Sequence, residues 1–372
     1  MISDWTLWLE WFIKSLVLIF ALLGGFAYLT WYERRALARI QTRIGPNRAG
    51  PFGLLQPIAD AIKLVFKEEL TPARAYKFVF FLAPILTVVP SIIIAAVIPW
   101  GRSINVFGRV INLYLADINV GVLYFMSIAA IAVYGIVLAG WSSNSKYAML
   151  GGLRSTAQMI SYELSLGISI IPILLLSDSM RMVDIVEKQT TWWFVVIQPV
   201  GALIFWIATL AEVNRAPFDM PEAEQELTAG YHTEYSGMKF SLFFMAEYIK
   251  MIGVSAIFAT LFLGGWRGPL VDQAPWLGLL YFWGKVAASL FVMIWIRSTH
   301  PRLRYDRLMA FGWKFLLPLS LANVVVTAAA LVDRTLLAGV VGVLGVIAAA
   351  VILTSLGRAR ARLVSRGQRA AR

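Results

Sequence analysis

Nine runs of about twenty largely apolar residues follow one another along the chain, near 11–32, 78–100, 119–140, 156–176, 192–211, 240–263, 276–296, 313–332 and 335–356. Twenty residues of α-helix rise about 30 Å, the thickness of a bilayer's hydrocarbon core. The runs lack the period-two alternation of a porin-type barrel. Composition agrees: of 372 residues 59% are hydrophobic and only 15% charged, against about 25% charged in soluble domains. A single globular core cannot hide that much apolar side chain and keep a wettable surface. The predicted fold class is therefore all-α, a polytopic membrane protein with about nine transmembrane helices. Prolines 84, 90, 172, 199 and 318 inside the runs are tolerable, because neighbouring helices re-satisfy the freed carbonyls. The first run has no basic leader or small-residue cleavage signal and is expected to stay in the mature protein.

The chain has no cysteine and two histidines, His232 and His300. That removes disulfides, thiolate catalysis, iron–sulfur clusters and cysteine zinc sites held by this chain, and leaves too few imidazoles for a usual metal or haem centre. The formal charge of +12 serves topology. Loops 33–77, 141–155, 212–239 and 297–312 with the tail 357–372 carry 23 lysines and arginines, the opposite side 6. The positive-inside rule puts the N-terminus outside and the C-terminus in the cytoplasm, which demands an odd number of spans. Nucleic-acid binding has no supporting motif.

Two loops on the basic side are unlike connectors. The first runs from Glu33-Arg34-Arg35 through the Gly/Pro-rich Arg43–Gly53 into Gln56-Pro57 and on to Glu69. From Pro57 the pattern predicts an amphipathic helix. Leu54, Ile58, Ile62, Val65 and Phe66 share one face, with Asp60, Lys63 and Lys67 off it. Such a helix either lies in the membrane interface or frames a doorway for an apolar molecule. The second loop, 212–239, holds six of the chain's 21 acids. Asp219 could cap a helix starting at Pro221-Glu222. Glu222 and Glu226, at i,i+4, would then repel each other, so a cluster this dense points to cation or proton binding.

Inside the runs stand Lys14, Glu163, Glu247, Lys250 and Lys285. Charges at membrane depth mark ion paths or internal pairs. Glu163 has no charged neighbour in sequence, and a buried carboxyl there suits proton loading and release. Glu247 and Lys250, at i,i+3, are expected to neutralise each other or to join a path. Lys14 is near enough to a helix end to snorkel. Glu212, Glu163 and Glu247 could together form a buried acidic chain.

At these residues the chain resembles a known family, the quinone-site membrane component (the H subunit) of respiratory complex I, proton-translocating NADH:quinone oxidoreductase. The resemblance rests on Glu33-Arg34-Arg35, Arg43-Ile44-Gly45-Pro46-Asn47-Arg48, Gln56-Pro57 with Asp60-Ala61 and Lys63, Ala132-Val133-Tyr134-Gly135, and Ile160-Ser161-Tyr162-Glu163. It is densest in Ala211-Glu212 through Glu226-Leu227 with Gly230-Tyr231-His232-Thr233-Glu234-Tyr235-Ser236, followed by Ala246-Glu247-Tyr248 and Arg302-Leu303-Arg304-Tyr305-Asp306. It covers about residues 10–330.

The resemblance implies a multi-pass component of the cell's inner (plasma) membrane, seated beneath a peripheral arm. Residues 1–332 would form an eight-helix quinone-tunnel domain, and 333–372 an extra membrane helix with a basic tail. Quinone would be a substrate, with no metal, flavin or iron–sulfur cluster in this chain. Partners would be the peripheral quinone-site subunits, the antiporter-like membrane subunits and lipid. The tunnel would fall to Glu33, Arg34, Arg43, Phe52, Asp60, Lys63, Phe218, Glu222 and Glu224. The proton path would fall to Glu163, Glu212, Asp219, Glu226 and Glu247. Some relatives carry an acid in the third run where this chain has Ala129-Ala130-Ile131. Three rival readings keep the membrane class: a component of a quinone-free hydrogenase, a stand-alone cation/proton transporter, and an anchoring scaffold.

Overall fold

A computed structural model describes residues 4–106, 109–220 and 229–333. Helix α1 (Asp4–Ile40) leads to a 3₁₀ turn (Pro51–Gly53) and α2 (Gln56–Phe66). Then come α3 (Lys77–Ile94), a small hairpin of β1 (Ile104–Val106) and β2 (Arg109–Ile111), α4 (Gly121–Ser142) and α5 (Lys146–Ser177). Next are α6 (Met182–Lys188), α7 (Phe194–Ile197) and α8 (Pro199–Glu212), followed by a 3₁₀ turn (Gly230–His232) and α9 (Gly237–Phe262). Helix α10 (Trp276–Thr299) precedes α11 (Tyr305–Phe311), which runs through a π turn (Gly312–Leu316) into α12 (Leu317–Val332).

Among the described residues, seven helical rods are long and apolar enough to cross a bilayer: α1, α3, α4, α5, α9, α10 and the α11–α12 rod. The protein is an all-α polytopic membrane protein. Three expectations need correction or qualification. The run at 192–211 is not one helix: it breaks at Gln198 (φ −125°, ψ 59°), leaving α7 with 4 residues and α8 with 14. Pro199 follows the break and has no N–H to carry the helix across it, while Gln198 donates to Thr327 Oγ1 on α12. The first loop does not begin at Glu33. Helix α1 continues to Ile40, so Glu33, Arg34 and Arg35 are helical. The ninth run, 335–356, lies outside the described residues.

The helices approach closely where side chains are smallest, the usual device when lipid supplies no hydrophobic drive between them. A Cβ on Gly135 of α4 would meet Thr87 Cγ2 of α3 at 2.4 Å. Helix α9 is the most enclosed, with every residue from Tyr248 to Phe262 except Phe258 buried. By contrast α2 buries nothing, and its apolar Ile58, Ile62, Val65 and Phe66 are exposed. This matches the amphipathic helix expected from the sequence, packed on α1 and α9 along one side.

Membrane-depth lysines are satisfied locally. Lys14 is paired with Glu10 at 2.6 Å. Lys285 of α10 donates to the carbonyls of Leu263, Gly265 and Arg267 at 2.7–2.9 Å and stands 4.5 Å from the Trp193 ring centre. It thereby closes the connection that follows α9.

Gly151 on α5 faces the backbone of the second loop: an added Cβ would lie 2.5 Å from Gly230 Cα and 2.8 Å from its carbonyl carbon. Backbone cannot yield as a flexible side chain does. Gly151→Ala is expected to destabilise the protein by about 1–3 kcal/mol, read as a lower thermal midpoint of the purified complex.

Candidate functional site

The groups singled out in the sequence gather in two places joined by one arginine. At the first, α1 meets α2. Arg34 bonds Asp60 at 2.6 Å, Gln56 Nε2 donates to the same carboxylate at 3.2 Å, and Lys63 lies 3.4 Å away. Partial burial works against the Asp60 charge, but Arg34, Gln56 and Lys63 outweigh it and hold the carboxyl below the usual range. Phe52 is tied to α1 through its carbonyl, which accepts from Arg35 Nη1 (2.7 Å) and Trp31 Nε1 (3.2 Å). Its ring lies under the Arg35 guanidinium at 5.4 Å and its φ is +55°. Arg43 stands apart, exposed and bonded to Gln41.

One helical position from Arg34, Glu33 points the other way and is buried to 2% exposure. Its Oε1 accepts from Arg215 Nη1 at 3.0 Å and also contacts Arg297 of α10. Arg215, 5% exposed, places Nε 2.8 Å from Glu247 Oε1 on α9, and its guanidinium carbon lies 4.3 Å from the centre of the Tyr248 ring. The Nε–Glu247 contact is a charge contact without hydrogen-bond alignment. Burial works against the charge on Arg215, but Glu247 and Glu33 outweigh it and hold the proton more firmly than in water. One cation thus joins α1, the second loop and α9.

The second place is a narrow cavity, about 40 Å³ to the centre of a water-sized sphere, bounded by α3, α4, α8, α9 and the second loop. Glu212, Asp219, Glu247 and Lys250 line it, with Asn214, Thr87, Ser91 and His232. Lys250 Nζ lies 2.8 Å from Glu212 Oε1, a buried pair between α8 and α9. Glu163 of α5 is half-buried and within electrostatic reach of both. The expected i,i+3 neutralisation of Glu247 by Lys250 does not occur. Each finds an opposite charge on another element, Arg215 and Glu212 respectively.

Phe218 is placed on this acidic side and not against Phe52. Its ring packs on Tyr162 at 5.5 Å, its N–H donates to the Arg215 carbonyl, and its own carbonyl accepts from Gln158 Nε2 at 2.7 Å. Gln158 also bonds Ala211 O and Asn214 Oδ1, stitching α5 to the start of the loop. Glu222, Glu224 and Glu226, with the cap predicted around Pro221, lie outside the described residues. Sequence reasoning missed Arg215, Arg297, Gln158 and Arg35. Arg215 was readable as the single basic residue within the acidic run 212–226, whereas Arg297 looks like any topology-setting charge at a helix end.

A family model described as NADH dehydrogenase matches residues 13–328. The chain is 51% identical over 327 residues to the second H subunit of NADH-quinone oxidoreductase from Syntrophobacter fumaroxidans, covering 88% of this chain and 97% of that one. It is 53% identical over 314 residues to the second H subunit from Geobacter sulfurreducens, covering 84% and 94%. To the H subunit from Thermomicrobium roseum it is 51% identical over 334 residues, covering 87% and 96%. With the match spanning seven membrane-length helices and both charged centres, the chain belongs to the NADH dehydrogenase family as an H-type membrane component of the NADH-quinone oxidoreductase enzyme complex.

Proposed function

We propose that this chain forms the quinone access tunnel of its complex and the acidic path that couples quinone reduction to proton translocation. The observation that carries the reading is that charged side chains stand on both faces of α1 and continue through Arg215 towards the cavity. Asp60 of α2 pairs with Arg34 on one face of α1; Glu33, adjacent on α1 but pointing the other way, contacts Arg215; Arg215 contacts Glu247; Glu247 shares a cavity with Asp219 and with the Glu212–Lys250 pair, and Glu163 is within electrostatic reach of that pair. Reducing a quinone to a quinol takes up two electrons and two protons. The chain has no cysteine, and the electrons reach quinone from a partner subunit. Charge changes at a quinone head held near the first loop would be felt electrostatically at Glu33, beside Arg34 on α1, and from there at Arg215. In a low-dielectric interior that field reaches the cavity carboxylates with little screening.

The exposed apolar face of α2 beside Arg34–Asp60 and Phe52 suits the tunnel mouth: a lipid-level surface for an isoprenoid tail, with polar groups alongside for the head. In this reading Arg43, Lys63, Glu222 and Glu224 complete the tunnel and Glu226 the proton path. The N-terminus lies outside, the C-terminus in the cytoplasm, and the chain spans the inner (plasma) membrane against peripheral quinone-site and antiporter-like subunits. No role in the chemistry is assigned to residues 333–372.

Glu163→Gln and Glu212→Gln are expected to assemble, Glu212→Gln with a lower thermal midpoint because Lys250 loses its buried counter-charge, but to lose most proton pumping coupled to NADH:quinone turnover, about tenfold or more, as for loss of a positioned proton-transfer group. Wild-type pumping in both would sink the proton path. Arg215→Met leaves Glu33 and Glu247 without their shared cation, and removing one partner of a buried pair costs about 3–5 kcal/mol. The variant should show a lower thermal midpoint or reduced assembly. Asp60→Asn should lower quinone reduction while leaving reduction of a soluble artificial acceptor by the complex intact; equal loss of both would argue against the tunnel mouth.

A further inference from the structure

Helix α9 runs away from both charged centres, and at its far end lies a cavity of about 430 Å³. It is framed by the connection from α6 to α7 and the connection from α9 to α10. Gln189 joins the two: its Nε2 donates to the Thr260 and Leu261 carbonyls at 3.1 and 3.2 Å, and its Oε1 accepts the Phe194 N–H at 3.1 Å. Four charged side chains line the cavity, two of each sign. Arg102 and Asp272 bond each other at 2.6 Å. Arg267 and Glu187 do not pair, and among the described residues neither side chain has a hydrogen bond or an ion pair. Arg267 Nε is closed off, whereas Nη1 and Nη2 are open and meet no protein acceptor. The Glu187 carboxylate is exposed at the end of α6.

The cavity therefore offers one unanswered cation and one unanswered anion on facing connections. A lone anion would answer Arg267 and be repelled by Glu187, and a lone cation would meet the reverse; a zwitterion answers both. The surroundings say which zwitterion. Trp192, Trp193 and Trp276 are exposed where α7 and α10 begin, the belt at which lipid head groups lie. Beyond Trp193, Val196, Val200 and Leu203 are exposed along α7 and α8. We propose that the cavity seats the head group of an aminophospholipid, its phosphate on the Nη edge of Arg267, its ammonium at Glu187 and its acyl chains over Val196, Val200 and Leu203. A guanidinium matches phosphate oxygens with its planar fork of donors. A primary ammonium fits better than a quaternary one, which needs free aromatic faces: Trp193 already has Lys285 Nζ 4.5 Å from its ring centre, and Trp266 is buried. The site is separate from the quinone and proton-path readings and shares no residue with them.

The test uses the assembled complex in nanodiscs of phosphatidylethanolamine that contain a trace of the same lipid with a photoactivatable group near its glycerol. Peptides labelled on irradiation are mapped by mass spectrometry. We expect adducts on the connection between α6 and α7 in the wild type, and about fivefold fewer in Arg267→Gln and in Glu187→Gln, the scale of one partly exposed charge contact. Subunit composition and NADH:quinone turnover should stay at the wild-type level in both variants. Photoactivatable phosphatidylglycerol, which has the phosphate and no amine, should label this connection about fivefold less than the amine lipid. Equal labelling by the two lipids, or labelling unchanged in both variants, overturns the proposal. So does displacement by an excess of soluble phosphoethanolamine, which assigns the site to a free ligand, and so does a map of the complex in which a partner subunit fills the cavity. Should Arg267→Gln fail to assemble, Glu187→Gln and the comparison of the two lipids decide.

Discussion

Arg215 is the contact on which the arrangement depends. A guanidinium taken out of water is stable only when opposite charges meet it, and here they come from α1 and α9. Those two helices are far apart in sequence and would otherwise be held by apolar packing, which tolerates sliding. The arginine's geometry does not. It sets the height of Glu33 against Glu247, and with it the position of Arg34 over Asp60 on one side and of the cavity on the other. Gln158 adds the third dimension by tying α5 to the end of α8 and to the same loop through three acceptors.

Much of this was legible in the sequence. The apolar runs announced the helices because lipid imposes both length and composition on a span. The period of Leu54, Ile58, Ile62 and Phe66 announced α2 because an interfacial helix needs one wet face and one greasy face. Glu163, Glu212 and Glu247 stood out because charge is rare in such a chain. What could not be read was pairing. Local spacing suggested that Lys250 would neutralise Glu247, yet each is matched across helices, and helix-to-helix register leaves no mark on a single sequence. The break at Gln198 was hidden for a related reason: Pro199 alone is compatible with a continuous membrane helix, and the non-helical Gln198 backbone goes with a side-chain bond to Thr327 on α12, a distant partner.

The two centres differ in exposure. The Arg34–Asp60 pair is partly in solvent, and such pairs are individually weak. The Arg215 centre is closed on nearly all sides. A solvent-exposed contact beside a buried one is the order that the proposed function would use, a large apolar molecule entering at one end and small charges moving at the other.

The paired charges around Arg215 and Lys250 also have a sum. Glu33 and Glu247 are matched by Arg215 and Arg297, and Glu212 by Lys250, so these six side chains carry no net formal charge. A neutral assembly of this kind has no slack. Seating one proton on any of its carboxylates frees a cation a few ångströms away, and at that range, with an effective dielectric near 20, the imbalance is worth about 4 kcal/mol. Around Glu33, Arg215, Glu212 and Lys250 little solvent is at hand to absorb it, so an imbalance there is felt by the neighbouring charges.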